Sequence, residues 1–130
     1  MSKFAATKAN PHHLSVGAIL TDSAGLFALM DEMKDGSLGM MTGTLEDGES
    51  LEGCLHRELL EETGATCKIT GFAGVTQVAI NDHRGAWQKS VVWFFCTITE
   101  DSRSAFQWVA NPSEIASVDI GRWPIGLLKT

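Results

Sequence analysis

The chain has no tyrosine, only three cysteines and no long hydrophobic run. The cysteines, Cys54, Cys67 and Cys96, are odd in number and widely spaced, without a CxxC pair. This pattern argues against a disulfide framework and against a zinc site, so free thiols in a reducing compartment are the simplest interpretation. No apolar run approaches membrane-spanning length, and the first residues lack the apolar core of a signal peptide. We therefore expect a cytoplasmic protein that does not interact with a membrane.

Chain length and net charge further narrow the classes of protein that fit this sequence. With 130 residues, 44% of them hydrophobic, the chain is long enough for one domain with a proper core. It contains no repeat, low-complexity tract or linker, so residues 1–130 are predicted to form a single domain, with 1–11 as a loose lead-in. The net charge of −6 argues against binding polymeric nucleic acid through its phosphates. A small phosphorylated ligand remains compatible, because a bound metal can supply positive charge.

The most informative stretch is residues 43–65, GTLEDGESLEGCLHRELLEETGA. Three of its glutamates, Glu58, Glu61 and Glu62, stand at i, i+3 and i+4, which places them on one face of a helix. Apolar residues one or two turns earlier project to the same side, so the three carboxylates are predicted to continue the inward-facing stripe. They also lie near the helix C-terminus, just before Gly64, where the macrodipole disfavours negative charge.

Local helix stability does not explain these carboxylates, but a bound divalent cation would, because hard cations take carboxylate oxygens. The alternative is a solvated acidic helix whose glutamates only face water. The spacing of Gly43, Glu49 and Arg57 before the cluster favours the metal site. Arg57 is adjacent to Glu58 and four residues before Glu61, so its planar guanidinium can fix the direction of a carboxylate.

Hydrophobic periodicity and turn residues predict one main helix among several strands. The helix is predicted to begin after Ser50, a good N-cap residue, and to run to about Thr63, with Gly64 as its stop. Strands on both sides of this amphipathic helix imply a mixed sheet covered by helices. The strands are predicted at residues 13–21, 26–30, 40–45, 67–80, 87–99 and 106–109, with a loop at 81–85 and a small helix at 112–116.

The fixed residues of this stretch match the pattern G-x5-E-x7-R-E-U-x-E-E-x-G-U, in which U is a bulky aliphatic residue. The stretch therefore resembles the Nudix box of the Nudix hydrolase family. Three positions depart from the family's usual pattern. Ala65 stands at the last aliphatic position, Met41-Thr42 replaces a Pro-Gly pair, and Asp31 replaces a basic residue. The residues that match are Gly43, Glu49, Arg57, Glu58, Glu61, Glu62 and Gly64.

The resemblance implies a fold and an activity. The fold is α/β, an α/β/α sandwich with a mixed β-sheet. The activity is hydrolysis of a nucleoside diphosphate linked to another moiety, with Mg²⁺ or Mn²⁺ as cofactor. The ions would neutralise phosphate charge, and a carboxylate would accept a proton from the attacking water.

The resemblance also assigns roles to individual residues. Glu58 and Glu62 correspond to the chief metal ligands, and Glu61 to a position that serves as ligand or general base. The carbonyl of Gly43 often completes such a site. The pair that orients the catalytic carboxylates corresponds to Glu49 and Arg57. A carboxylate from a later loop often contributes as well, and the candidates here are Glu100 and Asp101.

The substrate is predicted from signatures that other Nudix subgroups carry and this chain lacks. ADP-ribose hydrolases often have a proline about fifteen residues past the box, where this chain reads Val-Ala-Ile-Asn at 78–81. Dinucleoside polyphosphate hydrolases often have a tyrosine there. What remains resembles the short MutT-like members, which cleave nucleoside triphosphates to monophosphate and pyrophosphate. The alternatives are a hydrolase of a nucleotide-sugar or similar conjugate, and a non-catalytic nucleotide-binding module. The sequence also leaves a homodimer open.

Aromatic residues are the candidates for binding the base, since they stack on planar rings. Phe27 and Trp87 are the two that we expect to contact it, although most aromatics at strand spacing belong to the core. The loop at 81–85 would bind phosphate through His83 and Arg84, but a plain hairpin turn is the favoured interpretation. The further stacking candidates are Trp93, Phe106 and Trp108, and the adjacent histidines His12 and His13 are expected at the surface.

Overall fold

The computed structural model describes residues 12–29, 39–83, 85–109 and 125–127, and the backbone alone at 107–109 and 125–127. Within these ranges no helix has both the length and the apolar character needed to cross a membrane. The helical elements are α1 (Leu51–Thr63) and a 3₁₀ helix (Glu100–Ala105). The strands are β1 (His12–Thr21), β2 (Phe27–Leu29), β3 (Met41–Thr44), β4 (Cys67–Asp82), β5 (Gly85–Ile98), β6 (Gln107–Val109) and β7 (Ile125–Leu127).

The strands form one mixed sheet in the order β4-β5-β1-β2-β7-β6, and β3 pairs with β1. The β1–β5 and β6–β7 pairs are parallel, and the others are antiparallel. β1 is the central strand, since it bonds to β5 along one side and to β3 and β2 along the other. This arrangement confirms the predicted mixed α/β fold.

The core lies between α1 and one face of the sheet. Successive side chains of a strand point to opposite faces, so Val16, Ala18 and Leu20 share a face, and all three are fully buried against α1. The odd-numbered residues of β1 face the other way. The remaining core comes mainly from α1, β4 and β5, and includes Cys54, Leu55, Leu59, Cys67, Cys96 and Ile98.

The ends of α1 are where the sequence predicts them. The Ser50 hydroxyl accepts a hydrogen bond of 3.0 Å from the amide of Gly53, which satisfies one of the free amides of the first turn. At the other end, Gly64 is left-handed with φ of 77°, and its amide donates to the carbonyl of Leu60 at 2.9 Å. Glycine suits this cap because it has no Cβ to clash in that conformation.

The long hairpin differs from the prediction. Pairing between β4 and β5 continues to Asp82 opposite Gly85, so most of the predicted 81–85 loop is strand. Continuous cross-strand bonding overrides the local turn preference, and Gly85 turns the chain with φ of 98°. The predicted helix at 112–116 lies outside the described residues, as does Arg84.

We expect Gly64→Ala to lower the free energy of unfolding by about 1 kcal/mol or slightly more, because alanine is strained in the left-handed region. Urea titration would measure the change. Glu52→Ala, at an exposed position of the same helix, is the control. A stability for Gly64→Ala equal to that of the wild type would contradict this account of the helix end.

Candidate active site

The site lies where β3 meets α1. Gly43 of β3 faces the helix, and an added Cβ there would lie 2.1 Å from Cγ of Glu58. No side chain fits in that space, so glycine is required for Glu58 to pack against the strand. Glu58 is 4% exposed as a result. A buried carboxylate needs a charged partner, because its desolvation is costly.

Arg57 is that partner, and it organises the whole cluster. Its Nε and Nη2 donate to the two carboxylate oxygens of Glu49 at 2.6 and 2.9 Å, which is a bidentate pair. Its Nη1 donates to Glu58 at 3.0 Å and to Glu61 at 3.2 Å. Nη2 also donates to the carbonyl of Thr44 at 3.1 Å. These contacts use every N–H direction that a guanidinium offers.

The charge pairing shifts both partners' pKa values in the expected directions. Hydrogen bonds from Arg57 lower the pKa of Glu49 to about 2, and a bond from the amide of Glu46 helps. The pKa of Arg57 is raised, chiefly by its hydrogen bonds to Glu49 and then to Glu58. Both groups therefore stay ionised over the whole physiological range.

The side chain of Cys54 packs between α1 and β3. Its thiol is fully buried, 3.4 Å from the carbonyl of Thr44 and 3.8 Å from that of Gly43. Burial raises the pKa of the Cys54 thiol to about 12, and the nearby Glu49 charge adds to this. Cys54 is thus a neutral packing residue, as its place on the apolar stripe predicts.

The family model for the NUDIX domain matches residues 11–124, which is most of the chain. The chain belongs to the Nudix family. Residues 43–65, which resemble the Nudix box, lie within that match. No curated protein matches the sequence significantly.

Solved structures of Nudix proteins share the fold. A NUDIX hydrolase from Nitrosomonas europaea has a TM-score of 0.56 at 23% identity, covering 68% of this chain and 60% of that one. A MutT protein from Bacillus halodurans has a TM-score of 0.52 at 26% identity, covering 68% and 56%. A MutT protein from Methanosarcina mazei Go1 has a TM-score of 0.50 at 27% identity, covering 67% and 62%. The chain thus spans less than two thirds of the length of each.

One prediction about the Nudix helix is wrong. Glu58 faces inward, but Glu61 and Glu62 are exposed, with 58% of the Glu61 side chain accessible. Glu62 lies at the same angle around the helix as the buried residues, so helix phase does not explain its exposure.

The carboxylates suit a hard divalent cation in their chemistry. The structure shows Arg57 in contact with both Glu58 and Glu61, which brings these two carboxylates to one common cationic group. Among the described residues, however, no three Asp, Glu, His or Cys side chains converge on a single point as an ion requires. The carboxylates therefore fit Mg²⁺ or Mn²⁺ in donor type, but Glu61 and Glu62 are exposed and do not form a closed set of ligands with Glu58.

The structure places the later carboxylates elsewhere. Glu100 and Asp101 are exposed on the 3₁₀ helix, not in the loop that the sequence suggested. That segment is held by Ser102, whose hydroxyl accepts a hydrogen bond from the amide of Thr66 at 2.9 Å. Thr66 lies two residues past Gly64, so this segment is hydrogen-bonded to the chain just beyond the C-terminal end of α1.

The two predicted base contacts are separated. Phe27 pairs with Thr21 at the end of β1, and Trp87 packs its ring 5.2 Å from that of His13 near the strand's start. At roughly 3.3 Å per residue, these positions are about 25 Å apart, too far to contact one base. Trp87 is 8% exposed and Phe27 is 37% exposed. Phe106 is a core residue, and the side chain of Trp108 lies outside those described.

Two groups that contribute to the site, one backbone carbonyl and one carboxylate, were not predicted from the sequence. The carbonyl of Thr44 accepts from Arg57, and Glu46 lies 3.6 Å from the same guanidinium. Neither has a sequence signal of its own, because a carbonyl has no residue type and Glu46 occupies a variable position of the box. Among the described residues, Arg57 is thus surrounded by the carboxylates of Glu46, Glu49, Glu58 and Glu61.

Because its pKa is depressed, Glu49 stabilises the folded protein above about pH 4.5, and that contribution is lost as the pH falls toward 2. We expect Glu49→Gln to lower the free energy of unfolding near neutral pH, with the difference from the wild type shrinking between pH 4.5 and 2. Chemical denaturation at several pH values would measure it. Glu52→Gln removes the same charge from an exposed position and is the control. A difference independent of pH would show that the ion pair contributes nothing.

We expect Arg57→Lys to reduce turnover by about tenfold or more, because lysine offers three donors and no bidentate fork. Thermal stability should fall only modestly. Arg103→Lys is the matched control, since Arg103 pairs with Asp22 at 3.2 Å away from the box. Equal turnover in the Arg57→Lys protein and the wild type would mean that the guanidinium geometry does not matter.

Proposed function

We propose that this chain is a metal-dependent pyrophosphohydrolase that converts a nucleoside triphosphate to the monophosphate and pyrophosphate. The observation that carries the proposal is the Arg57 cluster, in which one guanidinium holds Glu49, Glu58 and Glu61 beside Gly43. Burying a carboxylate at a strand–helix junction is costly even with a charged partner, so this arrangement indicates a purpose other than stability. The complete Nudix box supports hydrolysis as that purpose.

The ligands that we propose for Mg²⁺ or Mn²⁺ are the carboxylates of Glu58, Glu61 and Glu62 and the carbonyl of Gly43. When bound, the ion supplies positive charge that offsets the pyrophosphate and acidifies water. The buried carboxylate of Glu58 is already fixed by Arg57 and by its packing on Gly43. Glu61 and Glu62, being exposed, are accessible to solvent and substrate.

The protein's own residues then share the remaining work. Glu61 is the proposed proton acceptor for the attacking water, because it is accessible and its charge is held in place by Arg57 at 3.2 Å. Arg57 and Glu49 are positioning residues, since their bidentate pair prevents the guanidinium from rotating. A rigid acceptor is useful because the alignment of water and phosphorus determines much of the rate.

Two other functions share this fold. A hydrolase of a nucleotide-sugar or similar conjugate would use the same cluster, because the diphosphate is common to both substrates. A non-catalytic nucleotide-binding module is less well supported, since every carboxylate of the box is present. The net charge of −6 supports a small-molecule substrate over a polymer. The three free, buried cysteines support a cytoplasmic setting, and a homodimer stays a prediction.

A single experiment tests the reaction. Nucleoside triphosphates and nucleotide-sugars are incubated with the protein and Mg²⁺ in oxygen-18 water, and the products are weighed by mass spectrometry. We expect nucleoside monophosphate and pyrophosphate, with one of the two labelled. Excess chelator should abolish turnover, and Mn²⁺ should restore it. Glu58→Gln should reduce turnover by on the order of a hundredfold, because a ligand is lost.

The alternatives give other products. Nucleoside diphosphate with free orthophosphate would overturn the proposed reaction. Cleavage of a nucleotide-sugar without cleavage of triphosphates would favour the conjugate hydrolase. Full activity in excess chelator would contradict the metal requirement.

A further inference from the structure

A tryptophan ring lies flat on the central strand, on the sheet face opposite α1. Its floor is Gly17 of β1, where an added Cβ would lie 2.4 Å from Cε3 of Trp93. Any other residue at position 17 would therefore push the ring away. The indole N–H donates to the hydroxyl of Thr76 at 2.8 Å, which fixes the ring's orientation in its plane. The Trp93 ring thus packs closely against Gly17, and the hydrogen bond to Thr76 fixes its orientation.

Trp93 also lines a cavity of about 380 Å³. Its volume falls within the roughly 300–1,000 Å³ of small-molecule pockets. The lining has no charged side chain, and its polar groups are the Thr76 hydroxyl and backbone. It consists of Ile19, Met40, Ala73, Gly74, Val75, Thr76 and Trp93. Such a lining suits a flat, uncharged ring and does not suit a phosphate or a carboxylate.

Strand register places this cavity close to the Arg57 cluster along the sheet, with the two on opposite faces. Gly17 pairs with Thr42 on one side and with Trp93 on the other. Thr42 immediately precedes Gly43, so the Trp93 ring and the first box residue occupy neighbouring positions of the same sheet. With strands about 4.8 Å apart, the backbone of Trp93 is roughly 10 Å from β3 across the sheet. A ligand seated on Trp93 could therefore extend over the β3 edge to the carboxylates.

We propose that Trp93 is the base-binding residue of the substrate site, on which a nucleobase stacks, and that Gly17 leaves the space in which its ring lies. The inference rests on the proposed function and deepens it by naming which end of the nucleotide binds where. Recognition by ring contact is tolerant of base identity, because every base has a flat aromatic face. We therefore expect all four common nucleotides to bind, with purines favoured over pyrimidines for their larger ring area.

The test uses two substitutions and a control in the full chain. Trp93→Leu keeps apolar bulk but removes the aromatic ring, and Trp93→Phe keeps an aromatic ring. Phe95→Ala, on the same strand and the same face but not in the cavity lining, is the control. KM and kcat are measured for ATP, GTP, CTP and UTP with Mg²⁺. Affinities for AMP, GMP, CMP and UMP are measured by calorimetry without metal.

We expect Trp93→Leu to raise KM for all four triphosphates by about tenfold to a hundredfold, with a smaller change in kcat. Affinity for the monophosphates should weaken in parallel. Trp93→Phe should recover most of both losses, and Phe95→Ala should match the wild type. Melting temperatures of all variants verify that they fold. Wild-type KM and wild-type monophosphate affinity in Trp93→Leu would overturn the proposal.

The binding measurements distinguish this proposal from the proposed reaction. Trp93-dependent binding of monophosphates without cleavage of any triphosphate would support the stacking platform and refute the triphosphate reaction. Cleavage of nucleotides whose KM and affinity do not depend on Trp93 would support the reaction and refute the platform. Failure of every nucleoside monophosphate to bind would also refute the platform.

Discussion

The candidate site depends on one guanidinium. Arg57 contacts Glu49 twice, Glu58 and Glu61 once each, and the Thr44 carbonyl once, all within 3.2 Å. Without it, a buried Glu58 and its neighbours would repel one another, and the helix would move away from β3 to let water reach them. Because Arg57 keeps them together, α1 can present carboxylates to solvent at a position that the sheet holds rigid. This cluster is the site at which we propose that a divalent cation binds.

The second constraint is the absence of a side chain at two glycines, one facing each side of the sheet. On the α1 side, Gly43 lets Glu58 approach the strand; on the opposite side, Gly17 lets the Trp93 ring lie on it. The two glycines lie on the paired strands β3 and β1, next to each other in register. Close approach at these two points brings the charged cluster and the apolar cavity to neighbouring positions of the sheet. One glycine belongs to a recognisable pattern, and the other does not.

The predictions that succeeded rest on local patterns. The cap at Ser50, the stop at Gly64 and the strand at 13–21 all depend on residues close in sequence, so these elements could be located. The box residues could be assembled because they lie within one strand–loop–helix segment. The predictions failed where contacts between residues distant in sequence determine the local structure. The β4–β5 pairing extended into the predicted loop, and the exposure of Glu62 does not follow from its position around the helix.

The sequence by itself determined the family, the mixed α/β fold and the group of carboxylates, because the spacing of charged residues on one helix and its leading strand is a local property. Only the tertiary structure decided which carboxylate is buried, that the Thr44 carbonyl shares Arg57, and that Phe27 and Trp87 are too far apart for one base. It also brought Gly17 beside Trp93, 76 residues away along the chain but paired across two parallel strands. Register between distant strands is set by packing of the whole sheet, so no local pattern contains it.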